Sequence, residues 1–295
     1  MFIATLIAND LDEGRNVQLA EDWLSSKADC RIVESRLIEV GNAADIRFEG
    51  DPVRARQVLE SVPFSPGIDI VVQPEAHRRK KLIVADMDST MITIECIDEL
   101  AAYAGIKPQI AEVTERAMRG ELDFEAALDA RVALLKGLSS DAIERCHAER
   151  VTLMPGARTL VRTMAAHGAR AVLVSGGFTV FADRVAEAIG FHRALSNTLH
   201  IEDGALVGTV ARPIVGAQTK LETLIAERDA LGLAAEEVLA VGDGANDIPM
   251  IQAAGLGVAY HAKPKTAAAA HARIDHNDLT ALLYAQGYAR ADWVA

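Results

Sequence analysis

The sequence predicts an α/β protein. Its core is Rossmann-like and built on a parallel sheet, a helical cap is inserted into that core, and a smaller ferredoxin-like α+β unit precedes it. Three observations carry this expectation. The runs Leu82-Ile83-Val84-Ala85, Ala171-Val172-Leu173-Val174 and Val238-Leu239-Ala240-Val241 are apolar at every position, as central strands of a parallel sheet are when both faces are covered. Each run stops abruptly at polar or glycine-rich residues, which argues against a buried helical turn. The first 76 residues read β-α-β-β-α-β, the ferredoxin-like order. The length of 295 residues agrees with two domains at roughly 100–200 residues each.

In chain order, Phe2 to Ala8 is strand-like, and Asn16 to Lys27 spaces Val17, Leu19, Ala20, Trp23 and Leu24 as a helix does. Arg31 to Val40 and Ala44 to Glu49 read as strands joined at Gly41-Asn42. Asp51-Pro52 opens a helix over Val53 to Glu60, and Ile68 to Val72 gives a last strand. Residues 1–76 are therefore read as one domain, 77–81 as a polar linker and 82–295 as the core. The stretch between the first two apolar runs is too long for one crossover. Asp98 to Ala104, Pro108 to Met118, Asp123 to Lys136 and Ser139 to Arg150 each read as helices, broken at Gly105, Gly120 and Gly137. They define a cap over about 97–150. Leu195 to Val210, turning at Asp203-Gly204, reads as a hairpin appended to the sheet.

Composition narrows the class of function. Half of the residues are apolar, so a real core can form and disorder is excluded. Forty-two acidic against 30 basic residues leave a net charge of −12, which repels nucleic acid and anionic membranes. The one basic run, Arg78 to Lys81, reads as a solvated linker. No apolar run exceeds about five residues, against the roughly 20 that a spanning helix needs. Cys30, Cys96 and Cys146 are odd in number and show no CxxC spacing. With the acidic start at Asp10, Asp12 and Glu13, they point to a reducing, cytoplasmic setting.

The chemistry concentrates where the apolar runs end. Ligands of open α/β sheets lie beyond the carboxyl ends of the strands, so Asp86, Ser175-Gly176-Gly177 and Gly242-Asp243-Gly244 are expected to meet in one crevice. Asp86 and Asp88, two residues apart, can aim at one site. Side by side, they stay ionised only with compensation from a cation or hydrogen bonds. Asp88-Ser89-Thr90 also reads as a helix cap. Gly242 to Asp247 offers two acids and an amide between glycines, suited to a hard cation such as Mg²⁺; a calcium-type or merely turn-forming Asp-Gly loop is the other reading. Lys220 reads in isolation as a surface lysine, and Arg131 as a solvated helix charge. The histidines show no metal-ligand spacing, and Trp23 and Trp293 read as packing residues.

Taken together, Asp86-Met87-Asp88-Ser89-Thr90, Ser175-Gly176-Gly177-Phe178, Lys220 and Gly242-Asp243-Gly244-Ala245-Asn246-Asp247 resemble the haloacid dehalogenase superfamily and, within it, the phosphoserine phosphatases. Glu95, Ala117 to Phe124, Arg131 and Tyr260 to Lys265 extend the resemblance, which spans residues 82 to about 285. Met87 stands where phenylalanine is frequent, at a position facing away from the site. The resemblance implies a haloacid dehalogenase-type core that hydrolyses O-phospho-L-serine in the last step of serine synthesis. Asp86 would be the nucleophile and Asp88 the general acid and base. One Mg²⁺ per subunit would be held by Asp86, the backbone carbonyl of Asp88 and Asp243, with Asp247 acting through a water. Ser175, Gly176, Gly177 and Lys220 would hold the phosphate, with Asn246 beside it. Glu95 would pair with the α-ammonium and Arg131 with the α-carboxylate, while Met118 and Phe124 would wall off water.

Two other functions compete: a related hydrolase or phosphotransferase with another small acceptor, and an inert domain serving a ligand-binding regulator. Intact Asp86, Asp88, Lys220 and Asp243 argue against inertness. The N-terminal unit resembles the ACT-type fold by element order, so it is expected to form a homodimer or to bind an amino-acid effector.

Overall fold

The computed structural model describes residues 1–119 and 121–295, and the side chain of Met118 lies outside that description; counts and absences stated for the structure are of the described residues. Within 1–76 the elements are β1 (Phe2–Ile7), α1 (Glu13–Lys27), β2 (Arg31–Glu39), β3 (Ala43–Glu49), α2 (Pro52–Glu60) and β4 (Asp69–Pro74). The strands form an antiparallel sheet in the order β2-β3-β1-β4. Both helices open on an aspartate: Asp12 caps α1 and Asp51 caps α2, each accepting a backbone N–H with its side chain.

The larger part follows as β5 (Leu82–Ala85), α3 (Cys96–Tyr103), α4 (Lys107–Met118), α5 (Phe124–Leu134), α6 (Asp141–Arg150), α7 (Ala157–Ala166), β6 (Arg170–Phe178), α8 (Thr179–Ile189) and β7 (Arg193–Asn197). Then come β8 (Leu199–Glu202), β9 (Ala205–Val210), α9 (Ala217–Ala230), β10 (Val238–Gly242), α10 (Ile248–Ala253), β11 (Leu256–Tyr260), α11 (Pro264–Ala269), β12 (Ala272–Ile274) and α12 (Ala281–Ala285). Its sheet is parallel throughout, in the order β12-β11-β10-β5-β6-β7. The three apolar runs of the sequence are the adjacent central strands β10, β5 and β6. They are fully buried because helices cover both faces of the sheet. No described helix is long and apolar enough to cross a membrane.

Two expectations are corrected. The hairpin is not appended to the main sheet. Leu195 belongs to the edge strand β7, whereas β8 and β9 pair with each other as a separate two-stranded sheet. That sheet docks on the cap: Gly137 N–H donates to Leu206 O, Leu206 N–H to Leu138 O and Ser140 N–H to Gly204 O. The basic run is not a solvated linker either. Arg79 and Lys81 are exposed, but Arg78 and Lys80 are buried. Lys80 donates to His77 O and Glu236 O at 2.9 and 2.8 Å, and burial lowers its pKa to about 8.

Arg78 explains how the two sheets are joined. Strand alternation puts Ala4, Leu6, Ala44, Ile46 and Phe48 of the N-terminal sheet against α1 and α2. The opposite face carries Thr5, Asp45, Asp69 and Gln73, and all four are buried. The Arg78 guanidinium donates to both Asp45 oxygens at 2.6 Å, to Thr5 Oγ1 at 3.0 Å and to the carbonyls of Tyr284 and Ala285. Gly287 lies against it so closely that a Cβ there would be 2.9 Å from Nη1. Breaking one partner of a buried pair costs about 3–5 kcal/mol. Asp45 would keep Arg36 at 3.2 Å, so Arg78→Ala is expected near the lower end, about 3 kcal/mol. Urea denaturation followed by circular dichroism would measure it as a lower midpoint at an unchanged slope.

Candidate active site

Asp86 leaves the end of β5, Ser175-Gly176-Gly177 the distal part of β6, and Asp243 to Asp247 the end of β10. Because β10, β5 and β6 are neighbours in the sheet, all three segments emerge side by side. Asp86 Oδ1 accepts from Met87 N–H at 2.8 Å and pairs with Lys220 Nζ at 2.6 Å. Lys220, from the first turns of α9, is wholly buried and also pairs with Asp247 Oδ1 at 2.6 Å. Asp247 Oδ2 accepts from Gly244 N–H at 2.9 Å. Asp243 Oδ1 accepts from Thr90 Oγ1 at 3.2 Å.

Carboxylate oxygens of Asp86, Asp243 and Asp247 lie within 4.8 Å of one another, and all three residues are buried. Burial raises the Asp86 pKa well above the carboxylate range, and Asp247 raises it further against the pull of Lys220. Burial likewise brings Asp243 up to about 6, with Asp247 and Glu95 adding to it. Burial works against the Lys220 ammonium, but Asp247 and Asp86 outweigh it and hold its pKa above the ordinary lysine value. Two of the three carboxylates, Asp86 and Asp247, thus share one ammonium, and Asp243 pairs with none among the described residues. The donors are all oxygens, so the residual negative charge fits a hard divalent cation.

Asp88 is arranged differently. Its Oδ2 accepts from Cys96 N–H at 3.0 Å, while Oδ1 is buried without a partner. Burial, then Glu95, brings its pKa up to about 7. Glu95 caps α3 by position and accepts from Ser89 Oγ at 2.7 Å. Ser89 itself has φ +56°. Arg131 lies in the last turn of α5, half-buried, and donates to Ala127 O of its own helix. Burial lowers its pKa, and the charges that oppose this are Asp98 and Glu95. No acid forms an ion pair with Arg131 among the described residues.

Phe124, the first residue of α5, lays its ring on Gly176 and Gly216: a Cβ at either would lie 3.3 or 3.1 Å from the ring. This aromatic residue of the cap is thus seated on the core. Met87 is fully buried in the core. Gly177 N–H is taken by Ser175 Oγ at 2.9 Å, and Phe178 is the N-cap that separates the glycine pair from the first residue of α8, Thr179. Asn246 stands beside the cluster in the short turn Ala245–Asp247. Met118 cannot be placed among these, its side chain lying outside the described residues.

Sequence reasoning missed three contributors. Thr90 supports Asp243, although its signal was present in the Asp-x-Asp-Ser-Thr run and was read as a cap. The Cys96 N–H holds Asp88. Buried Asn197 donates to Gly176 O at 2.9 Å and accepts from Val215 N–H at 2.8 Å. It ties the Ser-Gly-Gly segment to the approach to α9, and a lone asparagine at a strand end gives no signal of that.

A fold of this topology with acids at the ends of β5 and β10 defines a class, and the chain belongs to the haloacid dehalogenase-like hydrolases, whose family pattern matches residues 80–255. Within that class it falls among the phosphoserine phosphatases. The phosphoserine phosphatase of Haemophilus influenzae is 45% identical over 270 residues, covering 92% of this chain and 81% of its own length. That of Streptomyces coelicolor is 45% identical over 246 residues, covering 83% of this chain and 59% of its own length. The solved structure of a probable phosphoserine phosphatase from Vibrio cholerae, in unliganded form, matches with a TM-score of 0.78 at 35% identity, covering 99% of this chain and 87% of that one.

Close backbone approach at Gly242 shapes the carboxylate cluster. A Cβ on Gly242 would lie 2.3 Å from Asp247 Cγ. Gly242→Ala is therefore expected to push Asp247 out of the cluster and to cost about 1–3 kcal/mol of stability. Thermal melting with and without a divalent cation would show both effects: a lower midpoint, and a smaller rise in midpoint on adding the cation than the unmutated chain is expected to show.

Proposed function

We propose that the chain is a Mg²⁺-dependent phosphomonoesterase that converts O-phospho-L-serine to L-serine and inorganic phosphate through an aspartyl-phosphate on Asp86, the final step of L-serine biosynthesis. The observation that carries this reading is a division of labour between the two aspartates at the end of β5. Asp86 commits Oδ1 to Met87 N–H and Lys220, which leaves Oδ2 to attack phosphorus. Asp88 presents a buried oxygen with no partner, held in place through its other oxygen by Cys96 N–H.

In the first half-reaction an Asp86 oxygen forms a bond to phosphorus as the bond to the serine oxygen breaks, and Asp88 gives that oxygen its proton. In the second, water attacks the phosphorus of the aspartyl-phosphate. Asp88 takes the water's proton, and the bond to Asp86 breaks to release phosphate. Lys220 keeps the Asp86 carboxylate oriented throughout and offers positive charge to the phosphoryl oxygens, alongside Ser175, Gly176 and Gly177. Asp86, Asp243 and the Asp88 carbonyl would hold Mg²⁺, with Asp247 through a water. When bound, the ion supplies the positive charge that lets an anionic nucleophile meet an anionic substrate.

Substrate choice falls to Glu95 for the ammonium and Arg131 for the carboxylate, with Met118 and Phe124 walling off water, while Asn246 orients the phosphate through its amide. The N-terminal unit carries the remaining part of the proposal, as a dimerisation or effector-binding unit. A cleft of about 240 Å³ lined by Phe64, Ile68, Arg273 and His276 offers a small amino acid both apolar and charged walls.

Asp86→Asn preserves shape but removes the nucleophile, so phosphate release from phosphoserine should fall to background while circular dichroism stays unchanged. With the unmutated chain, a chelator should abolish release and added Mg²⁺ restore it. Arg131→Ala should lower kcat/KM for phosphoserine by at least about tenfold, or about 1.4 kcal/mol, and leave an aryl phosphate nearly unaffected. Equal losses on both substrates would refute the role given to Arg131.

A further inference from the structure

A second contact joins the N-terminal sheet to the larger part, at Asp69. Asp69, the first residue of β4, is buried on the polar face of the N-terminal sheet. Its Oδ1 accepts from Asp275 N–H at 2.8 Å. Its Oδ2 accepts from His276 N–H at 3.2 Å, Asn277 N–H at 2.9 Å and Asn277 Nδ2 at 2.8 Å. One carboxylate thus organises the whole segment that leaves β12. A carboxylate collecting several backbone N–H groups is a strong, geometrically specific anchor.

That segment holds the next one. The Asn277 carbonyl lies 3.1 Å from His261 Nε2, and since a carbonyl can only accept, Nε2 carries the proton and donates. His261 N–H also donates to Ile274 O at 2.8 Å. Between these bonds His261 is kept at φ +42°, a left-handed conformation uncommon for histidine. Two residues on, Lys263 N–H donates to Asp243 O at 3.2 Å. Asp243 belongs to the carboxylate cluster, so an unbroken series of bonds runs from the N-terminal sheet to a cation ligand.

We infer that Asp69 is a positioning residue for the cation site, acting through Asn277 and His261 on the segment 261–263 that braces the Asp243 backbone. The inference rests on the proposed reading of Asp86, Asp243 and Asp247 as the metal cluster. It makes the N-terminal sheet part of the support of the catalytic centre, beyond any role in assembly or effector binding. Outer partners of metal ligands typically contribute about 10–100-fold in metal affinity. The effect here is set at the lower end, because the bonds act through backbone.

The test uses the full-length chain and reads Mg²⁺ affinity by titration calorimetry without substrate. Asp69→Asn places an amide N–H against backbone N–H groups that need an acceptor. His261→Asn keeps a residue that tolerates left-handed backbone but shortens the side chain beyond reach of Asn277 O. Each variant should weaken Mg²⁺ binding about tenfold, and the double variant should be no weaker than the poorer single one. At saturating Mg²⁺, kcat and the KM for phosphoserine should return to within about twofold of the unmutated values, a rescue that general loosening of the fold would not permit. If Asp69→Asn does not fold, His261→Asn, whose ring is exposed, decides alone. Mg²⁺ affinity within twofold of normal in a folded variant would overturn the inference. Failure of the unmutated chain to bind Mg²⁺ would instead overturn the functional reading on which it rests.

Discussion

The constraint on which the rest of this structure depends is the concentration of buried negative charge at the carboxyl ends of two neighbouring strands. Asp86, Asp243 and Asp247 are clustered together, and the Lys220 ammonium pairs with two of them, Asp86 and Asp247. Removing such groups from water is costly, and a fold selected for stability alone would not assemble them. The sheet makes the gathering unavoidable. β10 and β5 are adjacent and parallel, so whatever follows each strand emerges at the same edge. The apolar uniformity of those strands fixes them at the centre of the sheet and hence fixes the acids at the centre of the crevice.

The cap completes the site from above and is tied to the core at more than its two chain connections. Phe124 rests on Gly176 and Gly216, the β8–β9 hairpin pairs with the α5–α6 connection, and Arg212 forms ion pairs with Asp129 and Glu125 of α5. The cap is therefore held to the core in part through a hairpin that carries none of the proposed site residues.

Much of this was legible in the sequence where local pattern and tertiary role coincide. Val84, Leu173 and Val241 lie in runs with no polar face, and only a central parallel strand tolerates that. Asp86 and Asp243 stand out because an acid directly follows a buried strand, whereas Lys220, a surface lysine by local pattern, is singled out only by its place in the motif order. The illegible parts are those in which a polar residue is satisfied from far away in the chain. Arg78 and Lys80 carry charges that read as solvated until Asp45 and the carbonyls of residues 77, 236, 284 and 285 are seen around them. Thr5, Asp45, Asp69 and Gln73 alternate with apolar neighbours as an exposed sheet face would, yet α12 and residues 275–277 cover that face. Asn197 belongs to no local pattern at all.

The polar seam between the sheets has an evolutionary corollary. Its complementarity is specific, fork to carboxylate at Arg78–Asp45 and carboxylate to successive amides at Asp69, so losing either acid would leave buried donors without acceptors. A chimera grafting a foreign leading module onto this catalytic body would inherit mismatched docking chemistry unless positions 45, 69, 78 and 277 travelled together. Modular shuffling, often imagined as free recombination of beads on a string, is here restricted to exchanges that preserve that quartet.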